Sequence, residues 1–403
     1  MKVLLAFDSY KGSLASWEAG SIAAQAILSV MPNASCEVVP MADGGEGTVA
    51  AIVTATGGTL ETIRIRGPLG EESDAEIGLV RDEDGHYVAV LEVAGICGLT
   101  MVGESGPDPL KASSYGVGEA IIHLLDKGIR RFVIGLGGSA TNDGGMGMLA
   151  ALGAEFCDSE GMLLTGSGGD LLRVASLQLD RLDARLMDCH FTIATDVSNP
   201  LCGPQGATMV YGRQKGVTNK MSVALDEAMN RYARMLEQEL NEQVSSQKLA
   251  GAFLTAVDKS SLQERTGAGA AGGLGFALIT LGGKVVSGAD WIIEKTQLAE
   301  RAELADWIIT GEGRSDQQTL YGKLPIKVAE AAKRAGAGCI LISGSLGDGI
   351  QALAPYFQGC FSIVNQPSEL EQCMEQAKPL LEQTVREVFR LIHFMSEVQA
   401  DQR

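Results

Sequence analysis

Positive charge is scarce in this chain: 32 Lys and Arg stand against 50 Asp and Glu, a net charge of −18. That balance argues against nucleic acid and anionic membranes as partners. An acidic protein can still bind a small anion, but only through a local cluster of Lys, Arg and backbone N–H groups. Histidine is scarcer still, at four residues, scattered without metal-ligand spacing. The eight cysteines (36, 97, 157, 189, 202, 339, 360 and 373) include no C-x-x-C pair. Most sit in apolar runs and read as reduced core residues of a cytoplasmic protein. No apolar run reaches the length of a membrane span, and residues 1–11 are too short in apolar character for a signal peptide. No Walker-type G-x-x-x-x-G-K-[ST] occurs, which excludes the commonest nucleotide loop.

Glycine, by contrast, is abundant: 51 of 403 residues, nearly double the usual share of about 7%. The chain is long enough for two or three domains. Its central stretch, residues 134–148, reads IGLGGSATNDGGMGM. An apolar strand that breaks into glycine just before a helix leaves N–H groups pointing out at the helix's positive end, a site that suits phosphate. Asp143 in that stretch is placed to hold a magnesium ion between phosphates. Gly135-x-Gly137-x-x-Ala140 also satisfies the dinucleotide fingerprint, and so does Gly267-x-Gly269-x-x-Gly272. Two matches in one glycine-rich chain make the pattern cheap, and tight turns without any ligand are the competing explanation.

Short apolar runs at 3–7, 36–40, 307–310, 339–343 and 360–364 read as buried parallel strands, each followed by a polar, glycine-bearing turn. Between them, residues 59–93 alternate like antiparallel strands, with a hairpin signal at Asp84-Gly85. Helices are expected after Ser113, over about 220–247, from the glycine run 267–275 onward, and over about 369–394. The expected fold is α/β with two domains. A doubly wound, flavodoxin-like parallel-sheet domain (1–58 plus 290–403) is interrupted by an inserted α/β domain (59–289) with some antiparallel strands. In a 2-1-3-4-5 order, residues 8–13 face residues 311–316 across the switch point where such sheets bind ligands. An interdomain cleft carrying anion loops, acids and bases suits phosphoryl transfer.

Several runs then stand out together: D-S-Y-K-G-S (8–13), P-M-A-D-G-G-E-G-T (40–48), S-Y-G-V-G-E (114–119) and G-L-G-G-S-A-T-N-D-G-G (135–145). D-V-S-N-P-L-C-G-P-Q-G-A (196–207), G-A-A-G-G-L-G (269–275) and T-G-E-G-R-S-D-Q-Q-T-L-Y-G-K-L-P (310–325) complete the set. With these the chain closely resembles the bacterial type I glycerate kinases, over most of its length and in the same order. It departs from their usual pattern at Phe7, Tyr10 and Arg213. The resemblance implies a cytoplasmic, ATP-dependent enzyme that phosphorylates D-glycerate, usually on the 2-hydroxyl to give 2-phosphoglycerate. The 3-hydroxyl is the alternative acceptor, and a nicotinamide-dependent oxidoreductase built on the Gly135 fingerprint is the alternative class.

Under that resemblance the residues divide by chemistry. Asp43, Glu46 and Asp143, each in a glycine-rich turn, are candidates for Mg2+. Gly137, Gly138, Ser139, Thr141, Asn142 and Gly144 are candidates for the nucleotide. Arg314 is the first choice for the glycerate carboxylate, with Lys11 or Lys323 helping or stabilising the transferring phosphoryl group. Asp196 is the expected general base, with Asp8 and Asp316 as alternatives. The expected partner is a small molecule, and the expected assembly a monomer or homodimer.

Overall fold

The computed structural model describes residues 1–403 except 104–105, 252, 254–260, 321 and 402–403; Tyr321, in the last run quoted above, thus lies outside the described residues. The chain divides into two units. One holds Met1–Asp43, Ala50–Gly57 and Ala289–Arg403; the other holds Gly44–Val49 and Gly58–Gly288. In chain order the strands are β1 (Lys2–Leu5), β2 (Ser35–Val38), β3 (Thr59–Arg66), β4 (Glu72–Arg81) and β5 (Tyr87–Glu92). They continue with β6 (Arg131–Gly135), β7 (Glu155–Cys157), β8 (Ser176–Gln178), β9 (His190–Ala194) and β10 (Lys284–Val286). The last are β11 (Trp307–Thr310), β12 (Arg314–Ser315), β13 (Gly338–Ser343), β14 (Ser345–Leu346) and β15 (Gly359–Ser362).

The first unit is built on a parallel sheet in the order β15-β13-β11-β1-β2. Numbered by that sheet's own strands, this is the flavodoxin-like 2-1-3-4-5. Its central strands β1, β11 and β13 are mostly apolar and buried because both faces are covered, whereas the edge strands β2 and β15 are partly exposed and carry polar residues. Val3, Leu5, Ile309 and Ile340 share a core with Ala19, Ala23 and Ile27 of the helix Ser16–Val30 and with Leu381, Val385 and Phe389 of the helix Ala377–Asp401. The alternate residues Leu4, Ile308 and Leu341 are equally buried, and the helix Leu324–Ala335 packs on β11 and β13. That helix carries Pro325 in its first turn and ends on Gly336 in the left-handed region, as its sequence predicts.

The second unit holds a mixed sheet, β10-β9-β6-β5-β4-β3. β3, β4 and β5 run antiparallel, and β5, β6, β9 and β10 run parallel. The helix Asn219–Ser245 buries Leu225, Ala228, Met229, Tyr232, Leu236 and Leu240 on one face, which is the stripe its spacing predicts. Met221, one turn earlier on the same spacing, is half-buried.

Four local features differ from what the sequence suggests. β10 is three residues long, too short to leave a pattern. The final helix is two, Leu370–Glu375 and Ala377–Asp401. Pro379 explains the break, since proline fits a helix only in its first turn. The helix after the central glycines is short, Met146–Ala151. The run 267–275 first makes a tight turn, with Ala271 and Gly272 at positive φ, before the helix Leu274–Thr280. All eight cysteines are free, with Cys97, Cys189 and Cys339 buried and the other five half-buried. Among the described residues no helix is long and apolar enough to cross a membrane.

Candidate active site

In the first unit, the turns after β1, β11 and β13 surround a cavity of about 780 Å3. It lies where two neighbouring strands send their connections to opposite sides, the position at which open α/β sheets bind ligands. Three carboxyl groups, Asp8, Asp43 and Glu312, and three cations, Lys11, Arg314 and Lys323, line it. Asp8 N–H donates to Gly311 O at 2.9 Å, tying the first two turns together. Tyr10 donates its hydroxyl to Ile342 O at 2.6 Å, which fixes the β1 turn to β13.

The charges in this cavity are close enough to alter one another. Burial, then the charge of Asp43, pushes the Asp8 carboxyl well above the usual carboxylate range; the Ser9 N–H and Lys11 pull the other way. Burial also raises Glu312, against the pull of Lys323 at 3.6 Å and of two hydroxyl donors. Those donors, Ser315 Oγ and Thr319 Oγ1, both reach Glu312 Oε1 at 2.9 Å. Lys11 Nζ is 3.8 Å from Asp43 Oδ2, with the Asp43 side chain about one-third exposed. Asp316 faces Arg314 Nε at 3.5 Å and accepts from Gln318 N–H at 2.8 Å, so it caps its own turn.

The glycine loop of the second unit is different. A helix start offers free N–H groups, yet here each one has a partner. Asp143 Oδ1 accepts from Gly145 N–H at 3.0 Å, and Oδ2 from Gly147 N–H at 3.3 Å. Met146 N–H reaches the Asp143 carbonyl, and Met148 N–H reaches Ser114 Oγ. Ser114 in turn gives both its N–H and its hydroxyl to Asp143 Oδ2, each at 2.7 Å. The anion at this helix start is therefore the chain's own carboxylate, not a phosphate. Burial pushes the Asp143 carboxyl up against the pull of those four donors.

The neighbouring polar side chains are likewise engaged. Ser139, Thr141 and Asn142 are buried. Lys215 Nζ donates to Ser139 Oγ at 2.8 Å and to Thr141 O at 2.7 Å. Asn142 Nδ2 donates to Thr208 Oγ1 at 3.1 Å. Gly144 accepts a long bond from the Tyr232 hydroxyl through its carbonyl. Of the residues expected to hold nucleotide, Ser139, Thr141, Asn142 and Gly144 are thus engaged by the protein's own groups, and Gly137 and Gly138 at the loop tip are half-buried and exposed. The glycines serve close packing of backbone on backbone. A Cβ on Gly137 would lie 2.5 Å from Gly45 Cα, and one on Gly272 would lie 2.0 Å from Thr141 O.

Asp196 follows β9 and is exposed, accepting from Ser287 Oγ at 2.8 Å. Glu46 is exposed in the turn 44–47; the N–H groups of Gly47, Thr48 and Val49 donate to the half-buried Glu92. The structure thus gathers Asp8, Lys11, Asp43, Arg314 and Lys323 in one cavity of the first unit. It places Glu46, the residues 137–144 and Asp196 in the second. Sequence reasoning missed Ser9, Glu312, Glu92 and Lys215. Ser9 and Glu312 lay inside quoted runs, but their burial is a tertiary fact with no local signal.

The Glycerate kinase family matches residues 3–393. The chain belongs to that family. Its enzymatic class is glycerate kinase, and the nicotinamide alternative lapses. A glycerate kinase of Halalkalibacterium halodurans is 40% identical over 96% of this chain and 97% of its own length. The glycerate 2-kinase of Escherichia coli K12 is 38% identical, covering 94% of each chain. The crystal structure of a Salmonella typhimurium LT2 protein named glycerate kinase 2 superposes with a TM-score of 0.77 at 38% identity, covering 98% of this chain and 99% of that one.

In this glycerate kinase family member, Asp143→Asn exchanges a four-bond acceptor for an amide with one acceptor oxygen. Stability should fall by about 2–4 kcal/mol, read from denaturant midpoints; a loss below about 1 kcal/mol would remove Asp143 as the anchor. Lys215 gives a pH test. Burial lowers its pKa from 10.5 to about 8, with Cys97 and Asp143 pulling back up. Below about pH 8 the ammonium is charged in both states, and folding bears the cost of burying it. Between about 8 and 10.5 the unfolded chain holds a proton that the folded chain lacks. Stability relative to Lys215→Met should therefore rise with pH through that window, by at most about 1.4 kcal/mol per pH unit. Parallel pH profiles for the two proteins would overturn this.

Proposed function

We propose that this enzyme transfers the γ-phosphoryl group of ATP to the 2-hydroxyl of D-glycerate, giving ADP and 2-phosphoglycerate. Family membership over the whole chain supports the acceptor, and the name of the E. coli relative supports the 2-position. The structural observation that carries the reading is the cavity where three cations face three carboxyl groups. Phosphoryl transfer asks mainly for positioning and for neutralising charge on a loose transition state. Lys11 and Lys323 suit the moving phosphoryl group. Arg314, with a planar fork of donors, suits the glycerate carboxylate.

Magnesium needs oxygen ligands and keeps several waters. Asp43 fits, being partly exposed on the cavity wall and raising the carboxyls of Asp8 and Glu312 by its charge, a repulsion that a cation relieves. Asp143 does not fit, because its oxygens already hold four donors. Glu46, exposed and raising its neighbour Glu92, stays a second candidate. Held by Asp43, the ion would offset negative charge on the phosphate groups. Asp196 takes the acceptor's proton, and Asp8 is the alternative; Asp316 is engaged by its own turn. The enzyme works in the cytoplasm, as a monomer or homodimer.

ADP release from MgATP should require D-glycerate, and product NMR should show the phosphate on C2; a C3 phosphate would reassign the regiochemistry. Activity should vanish in excess chelator. Arg314→Ala should raise KM for glycerate by about 10–100-fold and KM for ATP by far less. Asp196→Asn should lower kcat by about 10²–10⁴-fold with the fold intact. Near-normal turnover would move the base to Asp8.

A further inference from the structure

Four buried side-chain polar atoms among the described residues have no hydrogen-bond partner: Ser9 Oγ, Thr48 Oγ1, Gln243 Oε1 and Thr310 Oγ1. Of these residues, only Ser9 lines the cavity of the first unit. An orphaned buried hydroxyl is costly, and a native one calls for an explanation. Ser9 is 6% exposed and its backbone is pinned on both sides. Asp8 N–H is held by Gly311 O, Ser9 N–H by Asp8 Oδ1 at 2.7 Å, and Tyr10 N–H by Leu14 O. The hydroxyl is what remains, and rotation about one side-chain bond lets it follow a ligand.

The surroundings decide which ligand group it meets. Ser9 adjoins Asp8, whose carboxyl feels the charges of Asp43 and Glu312. An anionic oxygen brought to Ser9 would meet that negative field, whereas the cations of Lys11, Arg314 and Lys323 offer it better places on the same wall. A neutral hydroxyl, which both donates and accepts, is the group that fits.

We infer that Ser9 is a specificity residue: its hydroxyl hydrogen-bonds the hydroxyl of the acceptor that is not phosphorylated. This rests on the function proposed above. A hydroxy acid with a second hydroxyl then satisfies Ser9, and one without it leaves Ser9 unpartnered in a closed site. Sites built to bond a hydroxyl reject analogues that lack it much more strongly than apolar pockets reject an added group.

The test compares D-glycerate with D-lactate, which keeps the 2-hydroxyl and lacks the 3-hydroxyl. KM is measured for glycerate, and an inhibition constant against glycerate for D-lactate. Wild type should bind glycerate much more tightly than D-lactate. Ser9→Ala should raise the glycerate KM about tenfold or more and leave the D-lactate constant within about twofold, with thermal stability undiminished. Thr310→Val removes an orphan hydroxyl that does not line the cavity and should keep the wild-type ratio. An unchanged ratio in Ser9→Ala overturns the inference, as does an equal change in Thr310→Val or a large drop in the melting temperature of Ser9→Ala. A wild type that does not phosphorylate glycerate overturns the proposed function, and this inference with it.

Discussion

Asp143 takes four hydrogen bonds at a place where no water reaches it. Ser114 supplies two of them from 29 residues earlier, and Gly145 and Gly147 supply the others from the turn just beyond. Burying a carboxylate without such donors is prohibitive, and with them it becomes an anchor whose removal strands every donor at once. The packing around it follows. Gly144 N–H bonds to Gly272 O at 3.0 Å, and Gly137 N–H bonds to Gly44 O at 3.1 Å. Three glycine-rich turns therefore lie backbone against backbone, and a methyl group at Gly137 or Gly272 has no room. Much of the chain's glycine excess is the consequence of that packing.

The same constraint explains where sequence reasoning succeeded and where it did not. Parallel strands buried on both faces have few polar positions, so Val3, Leu4 and Leu5 announce β1, and Ile308 and Ile309 announce β11, without any partner in view. Strand order and the mixed second sheet were legible from where such runs fall. The three residues of β10 were not, because their pairing with β9 is the whole signal. The glycine loop was legible as an anion-binding turn but not as an occupied one. Outward N–H groups donate to a phosphate or a side-chain carboxylate with the same geometry, and nothing local shows that Asp143 is the acceptor here. The contact that does so comes from Ser114. Lys215 and Glu92 were hidden for the same reason.

The two clusters of polar residues also differ in how complete they are. Around Asp143 the polar groups answer one another: Lys215 serves Ser139 and Thr141, and Asn142 and Thr208 serve each other. Such a closed network rigidifies its loop and leaves little to offer a ligand. In the cavity of the first unit, by contrast, charges of one sign crowd together. Asp43 and Glu312 both raise the Asp8 carboxyl, and Asp43 also raises Glu312. Perturbation of that kind, in a cavity, is what separates chemistry from architecture.

This contrast also resolves how a chain with a net charge of −18 can act on anionic molecules. Long-range charge is screened within about 10 Å, so what matters is the local arrangement. Lys11, Arg314 and Lys323 supply three positive charges on one wall, and each keeps enough exposure to reach a ligand. The acids beside them prevent those lysines and the arginine from forming an indiscriminate anion trap. Lys11 and Lys323 are held near Asp43 and Glu312 until a ligand of the right charge competes for them. Under the proposed reaction, a small carboxylate and a magnesium-bound phosphate together would replace both signs of that charge. A lone anion would have to displace the carboxylates without replacing what they do.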